Sequence, residues 1–133
     1  MSKVMHGRCL CGDIEFQAIV PKKEYYACHC NMCQKWSSGL HFSVIAEELN
    51  LRAHENLQTF RSSESAERGF CRRCGSSVLY RNDKSNLLVV NLGLFDQRQD
   101  FMIVTELFID QGLCSLDGGH NRLSEKDMEM RDL

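Results

Sequence analysis

The sequence predicts a small, mainly β domain of antiparallel strands, and three observations predict it. Short apolar–polar alternations recur along most of the 133 residues. Only two stretches look helical, and both are short. A single proline, Pro21, and scattered glycines mark no linker, so residues 1–133 read as one domain.

The strands follow in order. Ile14, Phe16 and Ala18 alternate with Glu15 and Gln17, as a strand buried on one face requires. Leu40-His41-Phe42-Ser43-Val44-Ile45 alternates in the same way. Ser76-Ser77-Val78-Leu79-Tyr80 and Leu87-Leu88-Val89-Val90-Asn91-Leu92 are rich in β-branched and aromatic residues, which suit a pleated surface. Met102 to Ile109 is the last strand candidate. The stretch after Cys33 and the charged tail from Ser124 are the helical candidates.

The formal charge is −2, with acidic and basic residues interspersed. No basic face or arm stands out for a phosphate backbone, so no nucleic-acid partner is expected. The first residues lack the apolar core of a secretory signal, and no stretch approaches the roughly 18 apolar residues of a membrane span. The chain therefore reads as cytoplasmic, without a membrane partner.

Eight cysteines are many for this length, and seven are clustered as Cys9-x-Cys11, Cys28-x-Cys30-x-x-Cys33 and Cys71-x-x-Cys74. In a secreted chain they would suggest disulfides. In a reducing compartment metal ligation is the better reading, with iron–sulfur ligation behind zinc. Disulfide partners need Cα atoms roughly 4.4–6.8 Å apart with matched side-chain vectors, which close-set C-x-C pairs do not naturally give. Zinc takes about four ligands, and thiolates are its favoured structural ones. Seven thiols divide into a closed site of four and an open site of three, which predicts two zinc ions per chain. Cys9, Cys11, Cys71 and Cys74 as the closed site and Cys28, Cys30 and Cys33 as the open one is the preferred division. A triplet completed by one cysteine of a pair is the alternative.

His29 lies between two ligands, and on an extended segment it points away from both, which favours a supporting role over ligation. Cys114 has no neighbour of its kind and reads as a small buried residue. His6, His41, His54 and His120 have no ligand spacing, and His120 after Gly118-Gly119 reads as a loop residue.

The motifs Gly7-Arg8-Cys9-Leu10-Cys11-Gly12, Cys28-His29-Cys30-Asn31-Met32-Cys33-Gln34-Lys35 and Phe70-Cys71-Arg72-Arg73-Cys74-Gly75-Ser76 resemble the glutathione-dependent formaldehyde-activating enzyme family. That family shares its domain with centromere protein V. The resemblance runs from about Gly7 to about Leu94. It implies the β-tent fold of a Rab-exchange-factor-like superfamily. It also implies a structural zinc on Cys9, Cys11, Cys71 and Cys74, and a second zinc on Cys28, Cys30 and Cys33. Relatives carry a histidine or glutamate in the last strand, where Glu106 stands here, and a tryptophan soon after. The only tryptophan here is Trp36, so that second feature is missing.

Three thiolates around zinc leave a net charge of about −1, a poor centre for activating water. Such a centre suits holding an incoming thiol in ionised form, since a free thiol with a pKa of about 8.5 is mostly protonated at neutral pH. The resemblance implies that the thiol is glutathione and that the reaction is a carbon–sulfur lyase reaction forming or cleaving S-hydroxymethylglutathione. A non-catalytic zinc protein that binds glutathione or a protein partner is the alternative. Arg8, Lys35, Arg61, Arg68, Arg72 and Arg73 are available for the carboxylates of such a ligand, and the sequence singles out none of them.

Overall fold

The computed structural model describes residues 1–112 and 121–129, so Cys114 and the Gly118-Gly119-His120 segment lie outside the described residues. Ten strands form two sheets among them. They are β1 (Lys3–Arg8), β2 (Glu15–Val20), β3 (Glu24–Cys28), β4 (His41–Ile45), β5 (Glu48–Arg52), β6 (Leu57–Arg61), β7 (Ala66–Cys71), β8 (Ser77–Asn82), β9 (Leu87–Asn91) and β10 (Met102–Leu107). The helices are α1 (Asn31–Ser37) and α2 (Glu125–Glu129). Ser124 caps α2: the Asp127 amide donates to the Ser124 hydroxyl, and the Ser124 amide donates to the Asp127 carboxylate. These reciprocal bonds satisfy amides that a helix start leaves free.

The first sheet has the order β1-β2-β5 and the second β10-β3-β4-β9-β8-β7-β6. Pairing is antiparallel throughout except at one edge, where β10 runs parallel to β3. The predicted strands are present with their ends shifted by one or two residues: β2 and β8 start one residue later and run two residues further than expected. Met102–Ile109 stops at Leu107 because Phe108 takes the left-handed conformation, with φ of 57°, and turns the chain into a short 3-10 segment, Ile109–Gln111.

Phe16, Ala18 and Val20 point from β2 into a core shared by both sheets, where they meet Val44, Val78, Val90 and Phe95. The Phe16 and Phe95 rings pack edge-on at 5.3 Å. Gly7 lets β1 approach: a Cβ there would stand 2.5 Å from the Leu94 carbonyl oxygen and nearer still to the Phe16 ring. In the second sheet the pleat separates two jobs. Val44 on β4 and Leu88 and Val90 on β9 face the core. Their neighbours His41, Ser43 and Ile45 on β4, and Leu87 and Val89 on β9, line a cleft on the opposite side.

Candidate functional site

Two turns bring four thiols together. After β1 the chain folds back at Cys9-Leu10-Cys11-Gly12, where the Gly12 amide donates to the Cys9 carbonyl and the Cys9 amide to the Ile14 carbonyl. After β7 the Gly75 amide donates to the Cys71 carbonyl and the Cys71 amide to the Ser76 carbonyl. Each turn closes on a glycine with positive φ, 82° at Gly12 and 79° at Gly75, a conformation glycine adopts without a Cβ penalty. The Leu10 amide donates to the Ser76 hydroxyl and holds one turn against the other. The sulfur atoms of Cys9, Cys11, Cys71 and Cys74 consequently lie within 4.8 Å of one another. This cluster joins the first sheet to the second.

Their spacing suits a metal. Zn–S bonds of about 2.3 Å in a tetrahedron place sulfurs about 3.8 Å apart. Cys9 and Cys11 stand 3.6 Å apart and Cys11 and Cys71 3.8 Å. Burial opposes ionisation of Cys74, but the Ser76 hydroxyl and amide and the Cys11 backbone stabilise its thiolate and bring it down to about 5. One member of this cluster is therefore readily ionised, as metal ligation requires.

The second cluster sits where β3 meets α1. Cys28 ends β3, Cys30 precedes the first turn of α1, and Cys33 lies within that turn, facing inward. The three sulfurs also lie within 4.8 Å of one another. The Cys33 amide donates to Cys30 Sγ at 3.3 Å, so Cys30 serves as the helix N-cap. Burial raises the Cys30 thiol, but the Cys33 amide, the Cys33 and Cys28 thiols and the Met32 amide together lower it. Burial and the hydrogen bond to Cys30 push Cys33 up to about 12, against the pull of Arg68. Among themselves the three thiols thus favour a first charge on Cys30 and resist the next. A cation that ionises all three has to overcome that resistance.

Arg68 meets the cluster from behind. Its side chain projects from β7, is 5 % exposed, and donates to Cys33 Sγ at 3.7 Å. The guanidinium lies over the rings of Trp36 at 5.7 Å and Tyr80 at 5.2 Å. Among the described residues no carboxylate pairs with it. A buried guanidinium without an anion is costly, whereas three thiolates around a divalent ion would offer it a net charge of about −1. The donor set and this buried cation fit a metal ion at the cluster.

The cluster opens on a cleft of about 470 Å³. Tyr26, Ile45, Leu87, Val89, Leu107 and Phe108 give it largely apolar walls. His41, on the same wall, receives a hydrogen bond at Nδ1 from the Ser43 hydroxyl and donates from Nε2 to Asn91 Oδ1. Burial and the nearby Arg68 charge hold His41 below its ordinary pKa, against the Asn91 bond, so its ring is neutral at pH 7. The Ser62 hydroxyl is buried in the cleft wall and finds no hydrogen-bond partner among the described residues.

His29 takes no place in the cluster. It is buried, and its Nε2 lies 2.9 Å from Glu106 Oε1, which links β10 to the cysteine segment. The Gln34 side chain donates to the His29 carbonyl and to the Gln111 carbonyl, each at 2.7 Å, and fixes α1 against the end of β10. Of the six cations available by sequence, Arg68 alone lines the cleft. Arg8, Arg61 and Arg73 pair with Asp96, Asp83 and Asp13, and Lys35 and Arg72 are exposed elsewhere. Arg68, His41 and Ser43 were not assigned roles by sequence. The signal for them was parity: positions 41, 43 and 45 share one face of β4, and 66 and 68 share one face of β7.

The profile of the glutathione-dependent formaldehyde-activating enzymes matches residues 4–111. An uncharacterized lyase of Schizosaccharomyces pombe is 32% identical over 108 residues, which span 78% of this chain and 77% of that protein. The crystal structure of a Rhodobacter sphaeroides protein aligns with a TM-score of 0.60 at 21% identity, covering 75% of this chain and all of that one, and so shares the fold. The mainly β, antiparallel architecture agrees with these likenesses. With the family profile spanning most of the chain, this protein belongs to the glutathione-dependent formaldehyde-activating enzyme family.

Proposed function

We propose that this chain, working as one cytoplasmic domain over residues 1–133, is a zinc-dependent carbon–sulfur lyase of the S-hydroxymethylglutathione synthase kind. It binds glutathione or a similar small thiol and makes or breaks the adduct of that thiol with formaldehyde or a related carbonyl. The observation that carries this reading is the gathering of Cys28, Cys30 and Cys33 on the wall of a cleft large enough for a small molecule. In this reading Cys9, Cys11, Cys71 and Cys74 hold a structural zinc, while Cys28, Cys30 and Cys33 hold a second with one position left for substrate.

A zinc ion at the three thiolates supplies positive charge that lowers the pKa of an incoming thiol. The protein does the rest. Arg68, held between Trp36 and Tyr80, offsets negative charge at Cys33. The Ser43–His41–Asn91 chain keeps a neutral imidazole beside the cleft. In the reaction the substrate sulfur forms a bond to the carbonyl carbon, and the thiol proton ends on the carbonyl oxygen. The reverse step returns thiol and carbonyl, with no oxidation in either direction. Positioning the two reactants is the main contribution expected of the site.

Replacing zinc by cobalt gives a direct test, because cobalt–thiolate absorption reports a change in the sulfur ligands. Glutathione should change that absorption, and S-methylglutathione, whose sulfur cannot ionise, should not. Metal analysis should find about two ions per chain. Identical spectra with both peptides would favour a zinc protein that recognises the peptide alone.

A further inference from the structure

We infer that the carbonyl partner accepted by this site carries an apolar substituent larger than that of formaldehyde, such as a medium-chain aliphatic or an aromatic aldehyde. The inference rests on the thiol-handling reading above and concerns the other half of the adduct. It follows from a mismatch between the cleft and the one-carbon substrate.

The cleft has a volume of about 470 Å³. A hydroxymethyl group occupies about the space of two waters, at roughly 30 Å³ each, and would leave most of that volume hydrated against apolar walls. The glutathione backbone is a poor candidate to fill it. Glutathione carries two carboxylates and an ammonium group, and burying unpaired charge is strongly unfavourable. Among the described residues the only cationic side chain lining the cleft is Arg68, which is buried, lies against two aromatic rings and is bonded to Cys33. The charged ends of the peptide therefore belong outside the cleft, with the sulfur at the cysteines. What points inward is the group attached to the carbonyl carbon.

The inward walls suit such a group. Tyr26 comes from β3 and Ile45 from β4, Leu87 and Val89 from β9, and Leu107 and Phe108 from the end of β10. Phe108 and Leu87 remain 55% and 36% exposed, so part of each apolar side chain faces solvent at the cleft wall. An apolar chain laid along this wall leaves water on binding, worth up to about fourfold in affinity for each methylene fully buried.

The experiment titrates formaldehyde, propanal, hexanal and benzaldehyde into zinc-loaded protein saturated with glutathione. Calorimetry measures binding, and proton NMR measures the adduct concentration free in solution. The affinity for the adduct should rise at least tenfold from formaldehyde to hexanal. In Leu87→Ser and Phe108→Ser, both at exposed wall positions, that rise should shrink at least threefold. Equal affinity for all the adducts, or an undiminished rise in both variants, would overturn the inference. The cobalt response to glutathione alone separates the two ideas. If it is absent, the thiol reading itself fails. If it is present while the aldehyde series is flat, only the apolar substrate class fails.

Discussion

Cys71→Ser and Cys30→Ser should have opposite consequences, although each removes one thiol. Cys9 and Cys71 are 62 positions apart in sequence, and a metal joining them closes that loop and ties the first sheet to the second. Treated as a cross-link, a loop of that length restricts the unfolded chain by about 4 kcal/mol. A domain of this size has about 5–15 kcal/mol of net stability, so this term alone is a large share. Cys71 is also fully buried in the core, where serine would place a hydroxyl among apolar side chains. Cys71→Ser should give insoluble or molten protein. Cys28 to Cys33 closes only a local loop, for which the same relation gives about 2 kcal/mol. Serine is moreover a favoured N-cap, so Cys30→Ser keeps a side-chain acceptor for the Cys33 amide. That variant should stay folded with one metal ion and lose thiol binding. Solubility, thermal melting and metal content of the two proteins, measured side by side, decide the matter. A folded Cys71→Ser beside an unfolded Cys30→Ser would reverse the roles of the sites, and unfolding of both would make the three-thiol site structural.

Arg68→Met should fold but release the second metal to a chelator at least about tenfold more readily, because a charge-assisted bond to sulfur is worth about 1.5–3 kcal/mol. Arg68→Lys should restore only part of that, since it keeps the charge but lacks the planar group that stacks on Trp36 and Tyr80. His41 is held below its ordinary pKa of 6.5 by burial and by Arg68, so the unfolded chain takes up its proton first as pH falls. Its contribution is complete above about pH 6.5 and declines below it, by at most about 1.4 kcal/mol per pH unit. Melting curves between pH 7.5 and 5 should therefore be flatter for His41→Gln than for the wild type, and an unchanged slope would remove His41 from the account. Gly7→Ala should destabilise by about 2–3 kcal/mol in urea titrations, because the added methyl meets the Phe16 ring and the Leu94 carbonyl. A loss below about 0.5 kcal/mol would show that β1 can shift away.

How much of this was legible in the sequence follows from which side chains carry a pattern. Strands with one buried face, such as β2 with Phe16, Ala18 and Val20, announce themselves by alternation. Four others do not. β1 fills its inward positions with Met5 and Gly7, and β6 is exposed along most of its length. β3 lies between two neighbours with Tyr25 and Tyr26 both half-buried. β5 does alternate, with Leu49 and Leu51 between Glu48, Asn50 and Arg52, and was legible in principle. β7 inverts the usual rule by burying Arg68 and Gly69. The parallel pairing of β10 with β3 depends on a connection through most of the chain, which no local spacing encodes. The cysteine grouping was legible because turn spacing fixes it. The cleft was not, because it is made by one face of a sheet whose strand order is set by packing.

β7 links the two cysteine clusters physically. Its end carries Cys71 into the four-thiol cluster, and three residues earlier Arg68 projects from the other side toward the three-thiol cluster. Between them the pairing with β8 shifts register at Gly69 and Phe70, an irregularity that twists a strand and re-aims its side chains. Phe70 then packs edge-on against Trp36 at 5.8 Å, and Trp36 in turn lies under the Arg68 guanidinium. Trp36 is itself anchored by a hydrogen bond to the Ser77 hydroxyl at the start of β8, one residue beyond the turn that holds Cys74. The turn that presents Cys71 and Cys74 is thus the same piece of chain that sets the floor beneath Arg68. Closing the four-thiol cluster fixes that turn, and with it the position of the buried Arg68 guanidinium beside the cleft. On this argument the staple does more than hold two sheets together, since the geometry of the three-thiol site depends on it through Trp36, Phe70 and Arg68.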